Sequence, residues 1–160
     1  MSTQKSHEHF MQHAINLSDK NMQTGAGGPF GAIIVLNGEI IGQGWNQVTS
    51  SYDPTAHAEV VAIRDACRHV EDFSLKGAIL YTSCEPCPMC LAATYWARVE
   101  TIYYANTRFE AAAIGFDDEF LYREILLSLE SRSLPMHRLL PHEAIKVFQS
   151  WQNKLDKIPY

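Results

Sequence analysis

The sequence predicts an α/β domain, a three-layer α/β/α sandwich around a mixed five-stranded sheet. Two observations carry that expectation. A short apolar run rich in branched residues, Gly31 to Leu36, is followed by Asn37-Gly38, the positive-φ pair of a tight hairpin, so Glu39 to Asn46 returns antiparallel. Farther on, Ala78 to Thr82 and Val99 to Tyr104 read as strands, with Pro88 to Ala97 the only stretch between them long enough for a helix. Strand, helix, strand implies a parallel crossover, so one chain carries both kinds of pairing.

The remaining elements follow from periodicity and punctuation. Phe10, Ala14 and Leu17 recur at helical spacing and predict an amphipathic first helix, ended by Gly25, Gly27, Gly28 and Pro29. Asp53-Pro54 reads as a cap and a first-turn proline. Ala56, Val60, Ile63, Cys67 and Val70 then trace an apolar stripe on a helix that starts just before His57. Ala111 to Ile114 and Phe120 to Leu129 look helical, Met136 to Leu140 reads as a short fifth strand, and Ala144, Phe148, Trp151 and Leu155 mark a final helix. There are no repeats or linkers, and 160 residues suit a single domain spanning 1–160.

Composition narrows the function classes. A formal net charge of -5, from 18 acidic against 13 basic residues, disfavours a nucleic-acid substrate, because polyanion binding needs lysine and arginine against phosphate. The start, Met1-Ser2-Thr3-Gln4-Lys5, lacks an apolar signal core, and the longest apolar run is too short to span a bilayer. The expected setting is the cytoplasm, with no membrane partner. Three of the four cysteines, Cys84, Cys87 and Cys90, recur at intervals of three, which in such a setting reads as metal or redox chemistry.

Two segments carry the chemistry, Thr55-Ala56-His57-Ala58-Glu59 at one helix start and Cys84-Glu85-Pro86-Cys87-Pro88-Met89-Cys90 at another. Pro86 and Pro88 are tolerated only before or within a first turn, which places Cys87 near a cap and Cys90 on the same face. The positive end of a helix favours the thiolate that zinc requires. His57, Cys87 and Cys90 thus offer three ligands and leave the fourth tetrahedral position to water, the layout of a catalytic site. Zinc lowers the pKa of that water to about 7. Glu59, two residues from His57, is placed to move the protons that an amine leaving group needs.

These residues, His57-Ala58-Glu59 with Pro86-Cys87-Pro88-Met89-Cys90, resemble the signature of the cytidine deaminase superfamily, which implies a His/Cys/Cys zinc site and a proton-shuttling glutamate. Within it, nearly the whole chain is similar to the small bacterial guanine deaminases: Gly27-Gly28-Pro29-Phe30-Gly31, Asn46, Asp53 to Glu59, Tyr95-Trp96-Ala97-Arg98, Gly115-Phe116-Asp117-Asp118 and Tyr160. The resemblance implies hydrolytic deamination of guanine to xanthine and ammonia. It implies that Phe30 packs on the base, Asn46 hydrogen-bonds its edge, the Ala58 amide orients it and Trp96 closes the pocket. It also implies a homodimer that exchanges the C-terminal segment, bringing Asp118 and Tyr160 over a site where an acidic acceptor reads the N–H donors of a purine base.

Other readings stay open at this stage. The same zinc chemistry serves deaminases of cytosine, of nucleosides such as guanosine, and of adenosine in transfer RNA, the last disfavoured by charge. From another class comes a zinc-stabilised interaction module, in which Cys84 would complete a closed site and Glu59 would be idle. Cys84 otherwise reads as a small buried thiol and Cys67 as core; His9 and His13 read as solvated side chains. Asn46 could cap a turn, Phe30 and Trp96 could fill core, Asp117-Asp118 could cap a helix, and Tyr160 could belong to a frayed end.

Overall fold

The structure, a computed structural model, describes residues 6–160; the reading of Met1 to Lys5 as lacking a signal core falls outside them. The chain divides into two compact units, one running to Glu119 and the other from Phe120 to Tyr160.

The first unit holds a mixed sheet. α1 (His7–Gln23) is capped by Ser6, whose side chain accepts from the His9 amide, and buries Phe10 and Ala14. β1 (Gly31–Leu36) and β2 (Glu39–Trp45) form the expected hairpin, with Asn37 at φ 52° and Gly38 at φ 81°. β3 (Ile79–Cys84) lies antiparallel to β1 and parallel to β4 (Thr101–Asn106), giving the order β2-β1-β3-β4. The crossover between β3 and β4 is α4 (Pro88–Trp96). Among the described residues the sheet has four strands rather than five. Met136 to Leu140 has no regular structure, because Leu140 turns to φ 51° and leads into a helix opened by Pro141.

Side-chain alternation sends the two faces of the sheet to different helices. Ile33, Val35 and Tyr81 pack with Phe10 and Ala14 of α1, while Ala32, Ile34 and Leu80 pack with Ala58, Ala62 and Ala66 of α3 (Ala58–Val70). The stripe that α3 buries most deeply is therefore small, and the reason lies in β2. A Cβ on Gly42 would stand 2.5 Å from the Ala62 carbonyl, and one on Gly44 would stand 2.3 Å from the Ala58 carbonyl. Two glycines on the sheet and three alanines on the helix let the backbones approach more closely than larger side chains allow. Ile63, Cys67 and Val70 flank this seam.

α3 starts later than the sequence predicts. His57 is its N-cap, and Asp53 instead closes a turn by accepting from the Thr55 amide (2.8 Å) and hydroxyl (2.6 Å). A short helix, α2 (Val48–Ser51), precedes that turn. After β4 comes α5 (Arg108–Ala113), held by a reciprocal capping box between Thr107 and Glu110.

Helix α6 (Glu119–Leu126) begins at the last residue of the first unit. The second unit contains a single 3₁₀ turn at Leu129–Ser131 and α7 (Pro141–Asn153). Within it the Glu124 carboxylate accepts from the Ser133 amide at 2.8 Å, and Arg132 donates to the Ile125 carbonyl at 3.2 Å.

Candidate active site

Two helix starts build the site. His57 and Cys87 are the N-caps of α3 and α4, both with extended backbone, and neither side chain caps its own helix. Serine, threonine, asparagine or aspartate would ordinarily stand there and bond the exposed amides. Here the two cap side chains turn to each other: His57 Nδ1 lies 3.6 Å from Cys87 Sγ and 3.5 Å from Cys90 Sγ. Cys90, at the third helical position of α4, is fully buried.

Those separations test the fit of a metal. With Zn–S near 2.3 Å and Zn–N near 2.0–2.1 Å, the nitrogen-to-sulfur edge of a tetrahedron is about 3.6 Å. The three donors stand at that spacing, all within 4.8 Å of one another, and their chemistry is that of a borderline-soft divalent cation. The protons left on this set answer to the same proximity. A hydrogen bond from Cys90 pulls the Cys87 thiol down, the Cys87 bond pushes Cys90 up, and bonding to Cys87 raises His57.

Cys84 does not join them. Its Sγ donates to the Thr107 carbonyl at 3.7 Å, and burial pushes its thiol up to about 11. Among the described residues the donor group therefore holds three protein ligands, which leaves a tetrahedral site open and disfavours the closed alternative of three cysteines and one histidine.

Glu59 sits at the second position of α3, only 6% exposed, and its Oε1 accepts from the Thr82 hydroxyl at 3.0 Å. Burial raises its carboxyl above the usual range, reinforced by the charge of Cys87. A carboxyl group whose proton is held more tightly than normal, beside a metal-ligand cluster, suits a group that must both take and give a proton.

Several of the remaining sequence-predicted residues have defined local partners. Asn46 is buried, and its Oδ1 accepts from the Gly28 amide (3.3 Å) and the Val48 amide (3.2 Å). Both neighbours are donors, so the side-chain oxygen is committed and Nδ2 is the group left for an external acceptor. Phe30 meets Phe116 edge to face, centroids 4.8 Å apart. Ala58 is buried at the first position of α3, where a helix has amides without helical partners. Asp117, not Asp118, caps the following turn by accepting from the Glu119 amide at 3.0 Å. Partial burial raises the Asp118 carboxyl above its usual range, and the charge of Cys87 raises it further.

Trp96 ends α4, about 13 Å of helix rise beyond Cys87, and is 68% exposed.

The sequence reading missed Thr82, Phe116 as the partner of Phe30, and the hold of Gly27 and Gly28 on Asn46. A Cβ on Gly27 would stand 2.1 Å from the Asn46 carbonyl. Thr82 was within reach of pattern alone, since strand alternation places it with Leu80 on the face that α3 covers.

Comparison with known proteins agrees with this geometry. Residues 4–106 match the family model described as the cytidine and deoxycytidylate deaminase zinc-binding region. The chain is 49% identical to the guanine deaminase of Bacillus subtilis over 96% of its own length and 99% of the relative's. The X-ray structure of guanine deaminase from that organism superposes with a TM-score of 0.95, covering 98% of this chain and 99% of that one. A tRNA-specific adenosine deaminase of Haemophilus influenzae is 36% identical over 69% of this chain and 67% of its own. The protein belongs to the cytidine and deoxycytidylate deaminase family and carries that family's zinc-binding region.

Proposed function

We propose that this chain is a zinc-dependent aminohydrolase that converts guanine and water to xanthine and ammonia. The observation that carries the reading is the convergence of His57, Cys87 and Cys90 at zinc-ligand spacing beside a buried Glu59. Guanine as the base is supported by the similarity to the Bacillus subtilis enzyme along almost the whole chain. Held by the three ligands, zinc supplies Lewis acidity and makes hydroxide available from water at neutral pH.

The chain's own residues do the rest. Glu59 takes one proton from the attacking water and passes it to the ring nitrogen next to C2; it then takes the proton of the hydroxyl now on C2 and gives it to the amine, so that the C2–N bond breaks, ammonia departs and the C2 carbonyl of xanthine forms. Asn46 offers Nδ2–H to an acceptor on the base edge, and Asp118 offers a carboxylate to its N–H donors. The Phe30 ring, braced by Phe116, supplies an apolar wall. The Ala58 amide, at the positive end of α3, orients the purine.

The whole chain works as one deaminase unit, a homodimer in which the C-terminal segment is exchanged so that Tyr160, and Trp96 at the end of α4, complete a pocket. The apolar surface of the second unit supports this: Leu126, Leu134, Leu139, Phe148, Leu155 and Ile158 are all exposed, far more than a segment with its final partner leaves bare. A free purine base rather than RNA is favoured by the net charge of -5. Four cysteines without disulfides, two of them metal ligands, suit the reducing cytoplasm. No helix of the described residues is long and apolar enough to cross a membrane.

Ammonia release by the zinc-loaded protein from guanine, guanosine, cytosine, cytidine, adenine and a transfer RNA tests the reading. Release from guanine alone is expected. Release only from the transfer RNA would replace the substrate assignment, and silence throughout would overturn the enzyme.

A further inference from the structure

We infer that Thr82 is a positioning residue for the proton-transfer step, fixing the Glu59 carboxylate through Oε1 so that Oε2 handles the protons. The inference rests on the deaminase reading but is argued from the sheet. One residue from each strand stands in a row: Gly44 on β2 pairs with Ala32 on β1, Ala32 with Thr82 on β3, and Thr82 with Tyr104 on β4. The first three lie beneath the start of α3, where the Ala58 carbonyl comes within 2.3 Å of a Cβ position on Gly44. Glycine and alanine let the first turn settle onto the sheet. Of the three residues under that turn, only Thr82 carries a side-chain polar atom, and Glu59 meets it at 3.0 Å.

The other buried hydroxyls have different duties. Thr94 donates to the Cys90 carbonyl of its own helix at 2.8 Å, and Ser83 accepts from the Gly31 amide at 3.0 Å. Thr82 alone spends its donor on a distant acid, 23 residues away in sequence. A β-branched residue in a strand has few side-chain rotamers, and Thr82 is 1% exposed, so the direction of its O–H is set by packing. A hydrogen bond to one carboxylate oxygen restrains rotation of the carboxyl group, beside the contacts Glu59 makes with its own backbone and Cys90. Without it, Glu59 keeps its place on α3 but loses its orientation.

Thr82→Val preserves shape and removes the donor, whereas Thr82→Ser restores it. Each variant is compared with wild type for zinc per chain, for kcat and KM of ammonia release from guanine, and for the infrared carboxylate band identified by difference against Glu59→Gln. In Thr82→Val we expect unchanged zinc, KM within about twofold, kcat lower by about tenfold or more, and a shifted band. Thr82→Ser should return kcat and band close to wild type.

Unchanged kcat with an unshifted band would overturn the inference. So would a loss of kcat that tracks loss of zinc, or one that Thr82→Ser fails to restore. If the wild type released no ammonia, the deaminase reading would fail by itself, and the band alone would decide whether Thr82 holds the carboxylate.

Discussion

Replacing Gly44 with alanine tests how far catalysis depends on the close seating of α3. The added Cβ would meet the Ala58 carbonyl at 2.3 Å, the Ala62 amide nitrogen at 2.5 Å and Val61 Cβ at 2.9 Å. Ordinary contact begins near 3.4 Å, so the first turn of α3 must retreat by about 1 Å, and it is backbone that must move. Overpacking of this kind costs about 1–3 kcal/mol. For a chain of this size each kcal/mol shifts Tm by roughly 2–4 °C, so a fall of about 2–12 °C is expected. The retreating turn carries His57 and Glu59, and a misplacement near 1 Å can cost about 100-fold in rate. Gly42→Ala is the comparison, since its Cβ would meet the Ala62 carbonyl and the Ala66 amide at 2.5 Å, a turn farther from the ligands. Thermal unfolding, zinc competition against a chromophoric chelator and ammonia release read the pair. Both variants should lose stability, and Gly44→Ala should lose far more zinc affinity and turnover. A Gly44→Ala protein with wild-type Tm and zinc affinity would refute the seating argument.

Glu59→Gln should keep zinc and lose turnover by about 100-fold or more, as removal of a general acid–base group does; activity retained in that variant would remove Glu59 from proton transfer. Cys84→Ala should bind zinc as wild type does, with a small loss of Tm from the vacated space, because its sulfur faces the Thr107 carbonyl. Metal analysis of the purified variant decides. Deleting Tyr160 should impair turnover of guanine while leaving zinc content and Tm intact, and unchanged kinetics would take that side chain out of the pocket.

The legible part of the fold was the part written in local chemistry. Asn37-Gly38 forces the hairpin, and the prolines at 86 and 88 force the start of α4, so both sat where the sequence placed them. The ligand set was legible for the same reason, since residue type and spacing determine what can hold zinc. The error at Met136 to Leu140 was one of short apolar runs, which satisfy a strand template without any partner to pair with. The start of α3 was misplaced because Asp53 has two local uses, helix cap and turn closure, and Thr55 offers it the nearer amide. Thr82 and the Gly42–Gly44 seam depend on which strand faces which helix, information held in long-range register. Trp96 and Tyr160 were named by likeness to a family rather than by any physical signal of their own.

The two helix caps expose what the site costs. His57 and Cys87 occupy cap positions with extended backbone, the conformation a capping serine adopts, yet neither bonds its helix. Each start therefore gives up about 1 kcal/mol that a good cap contributes. Metal binding returns that loss only when zinc is present. Cys87→Ser separates the two contributions with almost no change in shape. Without metal, the serine hydroxyl caps α4, so the variant should be more stable than the metal-free wild type by about 1 kcal/mol, or roughly 2–4 °C in Tm. With zinc added the order should reverse, because the wild type gains binding free energy and the variant has lost a thiolate ligand. A metal-free variant that melts below the metal-free wild type would mean that Cys87 supports α4 in some way besides ligation, and the view that stability is sacrificed at this cap for the metal would be wrong.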